Sequence, residues 1–328
     1  MKRILMIATG GTIASKNTGA GLAPAISSKE LLACVPEIAD VCDVTEIQPF
    51  NLDSTNVYHR HWLEIARLIE ENYQKFDGFV ITHGTDTMAY SAAALSYLVQ
   101  DSPKPVVFTG SQRSAYLRDT DARRNLSDAF CFCADDDAYG VRVVFDGNVI
   151  LGTRAKKTRT RSYNAFSSVD FPEIAVMRDG KPLYYVKGEK PESPRFYHAL
   201  DSSVFVLKLI PGLRADIFDY LIPHCDGLIL ETFGSGGLPE YEDDGLFTRL
   251  KEYTALGKPV VVTTQVEREG SALDCYEVGR KLLDCGVLEA RSMTLEAAVT
   301  KLSWILGQTK EPKQAEKLFY TPVENDML

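Results

Sequence analysis

Two short stretches hold residue types able to do chemistry. Residues 7–15 read IATGGTIAS and residues 79–88 read FVITHGTDTM. Each ends an apolar run in glycine flanked by threonine, and the second adds Asp86. The adjacent pair Gly10-Gly11 implies that the backbone comes very close to something, be it a phosphate, a substrate or another strand. Thr12, directly after the glycines, has backbone N–H groups beside its hydroxyl. That arrangement offers a nucleophile and part of an oxyanion hole in one turn. A threonine hydroxyl needs a base. Of five histidines, His83 alone lies in a candidate loop, where it reads as a structural hydrogen-bonder. A lysine serves as a base when buried neighbours shift its proton affinity, and a carboxylate can position it. The stretch GTRAKKTRTRSYNAF, 152–166, offers lysines, with five basic residues among the eight from Arg154 to Arg161. Spacing alone does not say which lysine turns inward, and from composition alone a solvated basic loop is the simpler reading.

Other chemistries fit worse. TGGT after a strand resembles a phosphate cradle, but G-x-G-x-x-G is missing there and G-x-x-x-x-G-K-[ST] is missing throughout. No serine or cysteine stands in G-x-S-x-G context.

The elements that must position these loops follow from periodicity. RILMIA reads as a buried strand. Ser27 and Glu30 have capping-box spacing and open a helix through SKELLACV. DVTEIQ is a second strand. HWLEIARLIEENYQKF places Trp62, Ile65, Ala66 and Ile69 on one helical face. Then come strand GFVIT, helix MAYSAAALSYLVQ, strand PVVFTG, helix DARRNLSDAFCFCA and strand VRVVF. Alternation of strands with helices, the strands rich in Val and Ile, predicts parallel sheets covered on both faces. The polar segment VKGEKPESPRFYHALD holds two prolines and reads as a linker. Strand–helix alternation resumes after it: SVFVLKLI, a helix at 215–222, GLILETF, a helix at 244–256, PVVVTTQ, and helices at 275–285 and 294–306. The fold class is therefore α/β with two α/β domains. The larger, flavodoxin-like or Rossmann-like, covers residues 1–188; a linker covers 189–201; the smaller C-terminal domain covers 202–328. Ligands of open α/β sheets bind beyond the carboxyl ends of the strands. The first-domain loops there are rich in hydroxyls: Thr9, Thr12, Ser54, Thr55, Thr85, Thr87, Thr109 and Ser111. They look built for a small polar molecule.

Bulk properties narrow the classes. The 328 residues are 45% hydrophobic and 25% charged, with net charge −9, which fits a globular protein. The negative balance argues against sequence-independent nucleic-acid binding. The seven cysteines form no CxxC pair, so neither a zinc site nor a disulfide framework is expected; free thiols suit a reducing compartment. The apolar run Ile4–Ala8 is shorter than a secretory core of about 7–15 residues. No run approaches the roughly 18 apolar residues of a membrane span. The expectation is a cytoplasmic protein.

At this point the residues resemble a known family. TGGTIAS with HGTDTM resembles the two signature motifs of the bacterial L-asparaginases that use threonine nucleophiles, in their cytoplasmic type I branch. Supporting positions are Asp53-Ser54, TGSQ at 109–112, RAKK at 154–157 and TLEAAVTKL at 294–302, so the resemblance spans nearly the whole chain. It implies that Thr12 attacks the side-chain amide of asparagine and that Thr85, Asp86 and Lys157 form a second triad. Lys157 would draw a proton from Thr85, while Asp86 holds the lysine and meets the substrate α-ammonium. Asp53 and Ser54 would grip the amino and carboxylate groups, and Gly11, Thr55, Gly84 and Ser111 complete the substrate-binding set. Backbone N–H groups near Thr12 and Thr85 would receive the oxyanion. No cofactor, metal, nucleic acid or membrane partner is implied. A second subunit completes the site in this family, so a homodimer or homotetramer is expected, with residues 265–279 and the C-terminal domain as candidates for that contribution.

Three positions depart from the family pattern. Leu22 stands where a lid tyrosine is expected, Gly237 where an asparagine reaches a neighbouring site, and Lys156 precedes the implied catalytic lysine. Two other functions compete: the asparaginase-like subunit of a tRNA-dependent amidotransferase, and a non-catalytic amino-acid sensor. The amidotransferase subunit carries an extra N-terminal domain, whereas here the first motif begins at residue 9.

Overall fold

The computed structural model describes residues 1–17, 22–24, 26–241 and 245–328, and for residues 16, 17 and 22–24 the backbone alone. The chain divides into two compact units, Met1–His198 and Ala199–Leu328.

The first unit is built on an eight-stranded sheet. Five strands run parallel: Cys42–Ile47, Lys2–Ala8, Gly78–Thr82, Pro105–Thr109 and Gly140–Phe145, in that spatial order. In chain order this is 2-1-3-4-5, the flavodoxin-like arrangement. Its topological switch point lies between Lys2–Ala8 and Gly78–Thr82, the two strands that carry the motifs. Strand side chains alternate between faces. Ile4, Met6, Ala8, Val80, Val107 and Val144 share one core cluster with Leu126, Ala129, Phe130 and Cys133 of the helix Ala122–Ala134. The intervening Leu5, Ile7, Phe79, Ile81, Val106 and Phe108 are equally buried. Both faces are covered, which explains why these strands read as unbroken apolar runs.

Local signals in the sequence hold in the fold. Ser27 and Glu30 form a reciprocal capping box on the helix Ser28–Ala33. Trp62, Ile65, Ala66 and Ile69 are the buried face of the helix His59–Asn72.

The sheet also continues past its parallel part. Asn148–Leu151, Ala175–Arg178 and Lys181–Tyr184 extend it in antiparallel fashion. Two of these pairings turn on Asp-Gly. Asp146 and Gly147 have φ of 49° and 80°, and Asp179 and Gly180 have 50° and 73°. Positive φ at both turn residues is the tight-hairpin geometry that Asp-Gly favours. A further hairpin pairs Ala155–Lys157 with Phe166–Ser168. Within the segment read as a linker, Arg195–Phe196 pairs with Val99–Gln100, so that part is hydrogen-bonded into the first unit.

The second unit holds four parallel strands in chain order, Val204–Lys208, Gly227–Thr232, Val260–Thr264 and Leu288–Glu289. Helices Ile217–His224, Leu246–Ala255, Glu277–Leu283, Leu295–Gln308 and Pro312–Phe319 accompany them. Leu207, Leu228, Leu230, Val260 and Val262 pack with Phe218, Leu250, Tyr253 and Leu282 in its core. All seven cysteines are free thiols. Among the described residues no helix is long and apolar enough to cross a membrane.

Candidate active site

The loops leaving the first and third parallel strands meet at the switch point. Gly10 and Gly11 have φ of 105° and 81°, a region other residues rarely adopt. Gly11 N donates to Leu52 O at 2.9 Å, and Leu52 N to Thr9 O at 2.9 Å. A Cβ on Gly10 would come within 2.5 Å of Leu52 N and O, and one on Gly11 would overlap the backbone of Gly84. A Cβ on Gly84 would in turn sit 2.6 Å from Ser54 Oγ. The double glycine thus makes room for two neighbouring loops, and three strand ends converge.

Thr12 begins a single 3-10 turn, Thr12–Ala14. It is half-buried. Ser15 Oγ ties this turn back to Gly11 O at 2.9 Å.

The second motif supplies a charged cluster. Lys157 Nζ donates to Thr85 Oγ1 at 2.8 Å and to Asp86 Oδ1 at 2.5 Å. Thr85 is buried, the Lys157 side chain is 15% exposed and that of Asp86 is 58% exposed. Lys157 reaches this position because it ends the strand Ala155–Lys157. Successive strand residues face opposite sides, so its neighbour Lys156 points away. This resolves which lysine turns inward. The cluster can move a proton between Thr85 and Lys157, with Asp86 holding the ammonium.

Asp53 caps the short turn Ser54–Asn56, accepting from Thr55 N at 2.9 Å and Thr55 Oγ1 at 2.7 Å. Asp53 and Thr55 are exposed, while Ser54 is buried against Gly84. Thr87 Oγ1 donates to Ser54 O at 2.7 Å, joining this loop to the second motif. Ser111 is fully buried and its hydroxyl donates to Arg113 O, so the side chain braces its own turn. Thr12, Gly11, Asp53, Ser54, Thr55, Gly84, Thr85 and Asp86 lie on the converging loops, and Lys157 reaches them from its hairpin. The side chain of Leu22 lies outside the described residues; its backbone pairs with Asn17.

His83 lies behind the motif, fully buried. Trp62 Nε1 donates to Ser91 Oγ at 2.8 Å, which stands 2.9 Å from His83 Nε2; His83 Nδ1 is 2.7 Å from Gly84 O. The serine hydroxyl, already accepting from tryptophan, donates to Nε2, so Nδ1 carries the proton given to Gly84 O. Burial pushes the imidazole down to about 4, against the opposing pull of the Gly84 carbonyl. The ring is a neutral brace rather than a base. Ser91 and Trp62 carried no sequence signal for this role, being 8 and 29 residues from their partners.

Asp121 organises the TGSQ loop by accepting from Gln112 N at 2.8 Å and Arg113 N at 3.0 Å. Burial pushes its carboxyl up, and these amide donors oppose the rise. Among the described residues no His, Cys, Asp and Glu side chains group as a metal site.

This fold, with paired threonine loops at its switch point, defines an asparaginase-type α/β scaffold. Residues 3–189 match the family model described as asparaginase, N-terminal, and residues 203–319 match the glutaminase/asparaginase C-terminal domain. The chain belongs to the asparaginase family. It is similar to the L-asparaginase of Thermococcus kodakarensis, with 38% identity over 96% of both chains. The solved structure of the thermostable L-asparaginase from that organism superposes with TM-score 0.92 at 36% identity, covering 99% of each chain. L-asparaginase I of Vibrio cholerae superposes at 0.87, with 29% identity, covering 100% of this chain and 99% of the other. A glutamyl-tRNA(Gln) amidotransferase subunit of Pyrococcus furiosus is 34% identical over 97% of this chain and 75% of its own length.

Proposed function

We propose that this protein hydrolyses the side-chain amide of L-asparagine to L-aspartate and ammonia through a threonine acyl-enzyme. The observation that carries this reading is Lys157 Nζ lying within hydrogen-bond reach of both Thr85 and Asp86, on loops packed against the Gly11–Thr12 turn.

In this reading Thr12 Oγ1 attacks the amide carbon. Backbone N–H groups near Thr12 and Thr85 hold the developing oxyanion. The departing nitrogen takes up the proton that Thr12 gives off, passed on by the Thr85–Lys157 relay, as the C–N bond breaks, and ammonia leaves an ester on Thr12. Water then adds to that ester, breaking the C–O bond, releasing aspartate and returning the proton to Thr12. Thr85 and Lys157 relay protons, and Asp86 holds Lys157 and meets the substrate ammonium. Asp53, Ser54 and Thr55 hold the amino-acid head, and Gly11, Gly84 and Ser111 shape the cradle. No cofactor takes part. Free thiols throughout support a cytoplasmic location.

A homodimer or homotetramer fits this reading. In the second unit, Phe233, Gly237, Leu238, Pro239, Tyr276 and Val278 line a cavity of about 510 Å³. Phe233 and Tyr276 are exposed at 36% and 63%, an apolar surface suited to a partner copy. Light scattering of the purified protein tests the state.

The direct test is ammonia release from asparagine and from glutamine by wild type, Thr12→Ala and Lys157→Met. Asparagine turnover lost in both variants, with circular dichroism unchanged, is expected; a Thr12→Ala enzyme at full rate removes the nucleophile assignment. Asparagine against glutamine differs by one methylene, worth only about 1–3 kcal/mol, so a minor glutaminase rate is expected. The similarity to an amidotransferase component keeps a second reading, in which ammonia passes to a tRNA-bound acceptor. Release of ammonia from free asparagine by the chain alone weighs against that reading; binding without release supports a sensor.

A further inference from the structure

Gln112 stands between the two halves of the site, and the hydrolysis scheme gives it no part. Its side-chain Nε2 lies 3.1 Å from Ser162 O and 3.4 Å from Arg159 O. Both partners are backbone carbonyls, which only accept, so they hold the NH2 end of the amide on their side. The oxygen must then face the other way, where Thr85 Oγ1 lies 3.3 Å from Oε1. An amide oxygen only accepts, so the Thr85 hydroxyl proton points at Gln112. The Thr85 lone pairs are thereby left for Lys157 Nζ at 2.8 Å. The main chain of Gln112 is also fixed, its N–H donating to the buried Asp121.

The segment that pins the amide follows Lys157 directly. Arg159 and Ser162 sit in the exposed turn of the hairpin that carries the lysine. Thr158 N and Arg159 N donate to Ala165 O, and Tyr163 Oη donates to Asp119 O in the loop that follows Gln112. One side chain therefore joins the lysine hairpin to the threonine of the second motif.

We propose that Gln112 is a positioning residue: its amide, oriented by the carbonyls of Arg159 and Ser162, fixes the rotamer of Thr85, taking its hydroxyl proton in a hydrogen bond while Lys157 is the donor; the proton turns to Lys157 when the lysine draws it. The proposal rests on the asparagine-hydrolysis reading for its kinetic consequence. Gln112 hydrogen-bonds with Thr85, whereas the hydrolysis reading assigns the amino-acid head to Asp53, Ser54 and Thr55, so loss of Gln112 should act on turnover rather than on substrate binding.

The test compares Gln112→Met, which removes acceptor and donors, with Gln112→Glu, which keeps an acceptor facing Thr85 and removes the donors. Gln112→Met is expected to lower kcat about tenfold, the rate equivalent of one lost hydrogen bond, with KM unmoved. Gln112→Glu is expected to fall between wild type and Gln112→Met. A Gln112→Met enzyme at the wild-type rate, or Gln112→Glu as slow as Gln112→Met, overturns the proposal, the latter result leaving only a loop anchor. A readout free of activity is the three-bond coupling to the Thr85 methyl carbon by NMR. One rotamer in wild type and averaging in Gln112→Met are expected; identical couplings overturn the proposal. Failure of wild type to release ammonia sinks the hydrolysis reading instead, and the couplings still decide the role of Gln112.

Discussion

Gly11 and Gly84 touch backbone to backbone: a Cβ on Gly11 would overlap Gly84 Cα and N. One glycine lies in the loop after the strand Lys2–Ala8 and the other in the loop after Gly78–Thr82, so this contact sets the spacing of Thr12 and Thr85. Gly11 also holds φ 81°. Gly11→Ala is expected to meet both penalties. The backbone strain alone is about 1–3 kcal/mol, and displacement of the loops is expected to cost turnover on the order of a hundredfold. Thermal unfolding and ammonia-release kinetics measure the two parts separately. A variant with wild-type melting and rate would show that the loops do not depend on this contact.

Thr87 joins the second motif to the loop of Asp53 and Ser54 through the hydrogen bond from its hydroxyl to Ser54 O, 2.7 Å long. Thr87→Val keeps the shape and removes the donor. The amino-acid head is assigned to the Asp53–Thr55 loop, so KM is expected to rise about tenfold, the equivalent of one hydrogen bond, with kcat changing less. A fall in kcat at constant KM would place the effect on the threonine–lysine cluster instead.

His83 gives a pH signature. Its imidazole sits at about 4 in the fold against 6.5 for an unburied ring, because burial penalises the cation. The folded value is depressed, so the contribution to stability is fully present above pH 6.5. It is lost as the pH falls from 6.5 through 4, where the unfolded chain takes up the proton first. The amount is about 3 kcal/mol. Denaturant unfolding of wild type and His83→Gln between pH 7 and 4 checks this. The wild-type curve should fall more steeply by that amount, and parallel curves would remove the assignment.

These features were unequally legible in the sequence. The parallel strands and their switch-point loops follow from apolar runs that end in Gly and Thr, a signal carried by neighbouring residues. The capping box at Ser27 and the Trp62–Ile69 face are local in the same way. The antiparallel extension also had a local signal, Asp146-Gly147 and Asp179-Gly180, but a strand–helix alternation looks past short strands joined by tight turns. The choice of Lys157 over Lys156 was legible through the resemblance of RAKK at 154–157 and not from spacing. It depends on the register of a hairpin whose partner, Phe166–Ser168, has no turn dipeptide to announce it. The Trp62–Ser91–His83–Gly84 relay and the amide of Gln112 depend on groups brought together only by the sheet. Their residue types are common, so no pattern marks them.

The second unit holds a buried ion pair that the site does not use. Lys301 Nζ is 2.7 Å from Asp326, and neither side chain is exposed. Lys301 lies on the helix Leu295–Gln308 and also donates to Thr321 O at 3.0 Å, while Asp326 accepts from Val323 N at 3.0 Å. The pair therefore pins residues 321–326 to that helix. Burial pushes the Lys301 ammonium down, and Asp326 works against that shift. Removing one partner strands a charge in the interior. Asp326→Ala is expected to cost about 3–5 kcal/mol, whereas the volume-matched pair Lys301→Met with Asp326→Leu recovers most of that loss, since paired charges barely offset their own desolvation. Denaturant midpoints of wild type, single and double variants check this. Equal losses in single and double variants would mean that the packing of the tail, rather than the buried charges, sets the cost.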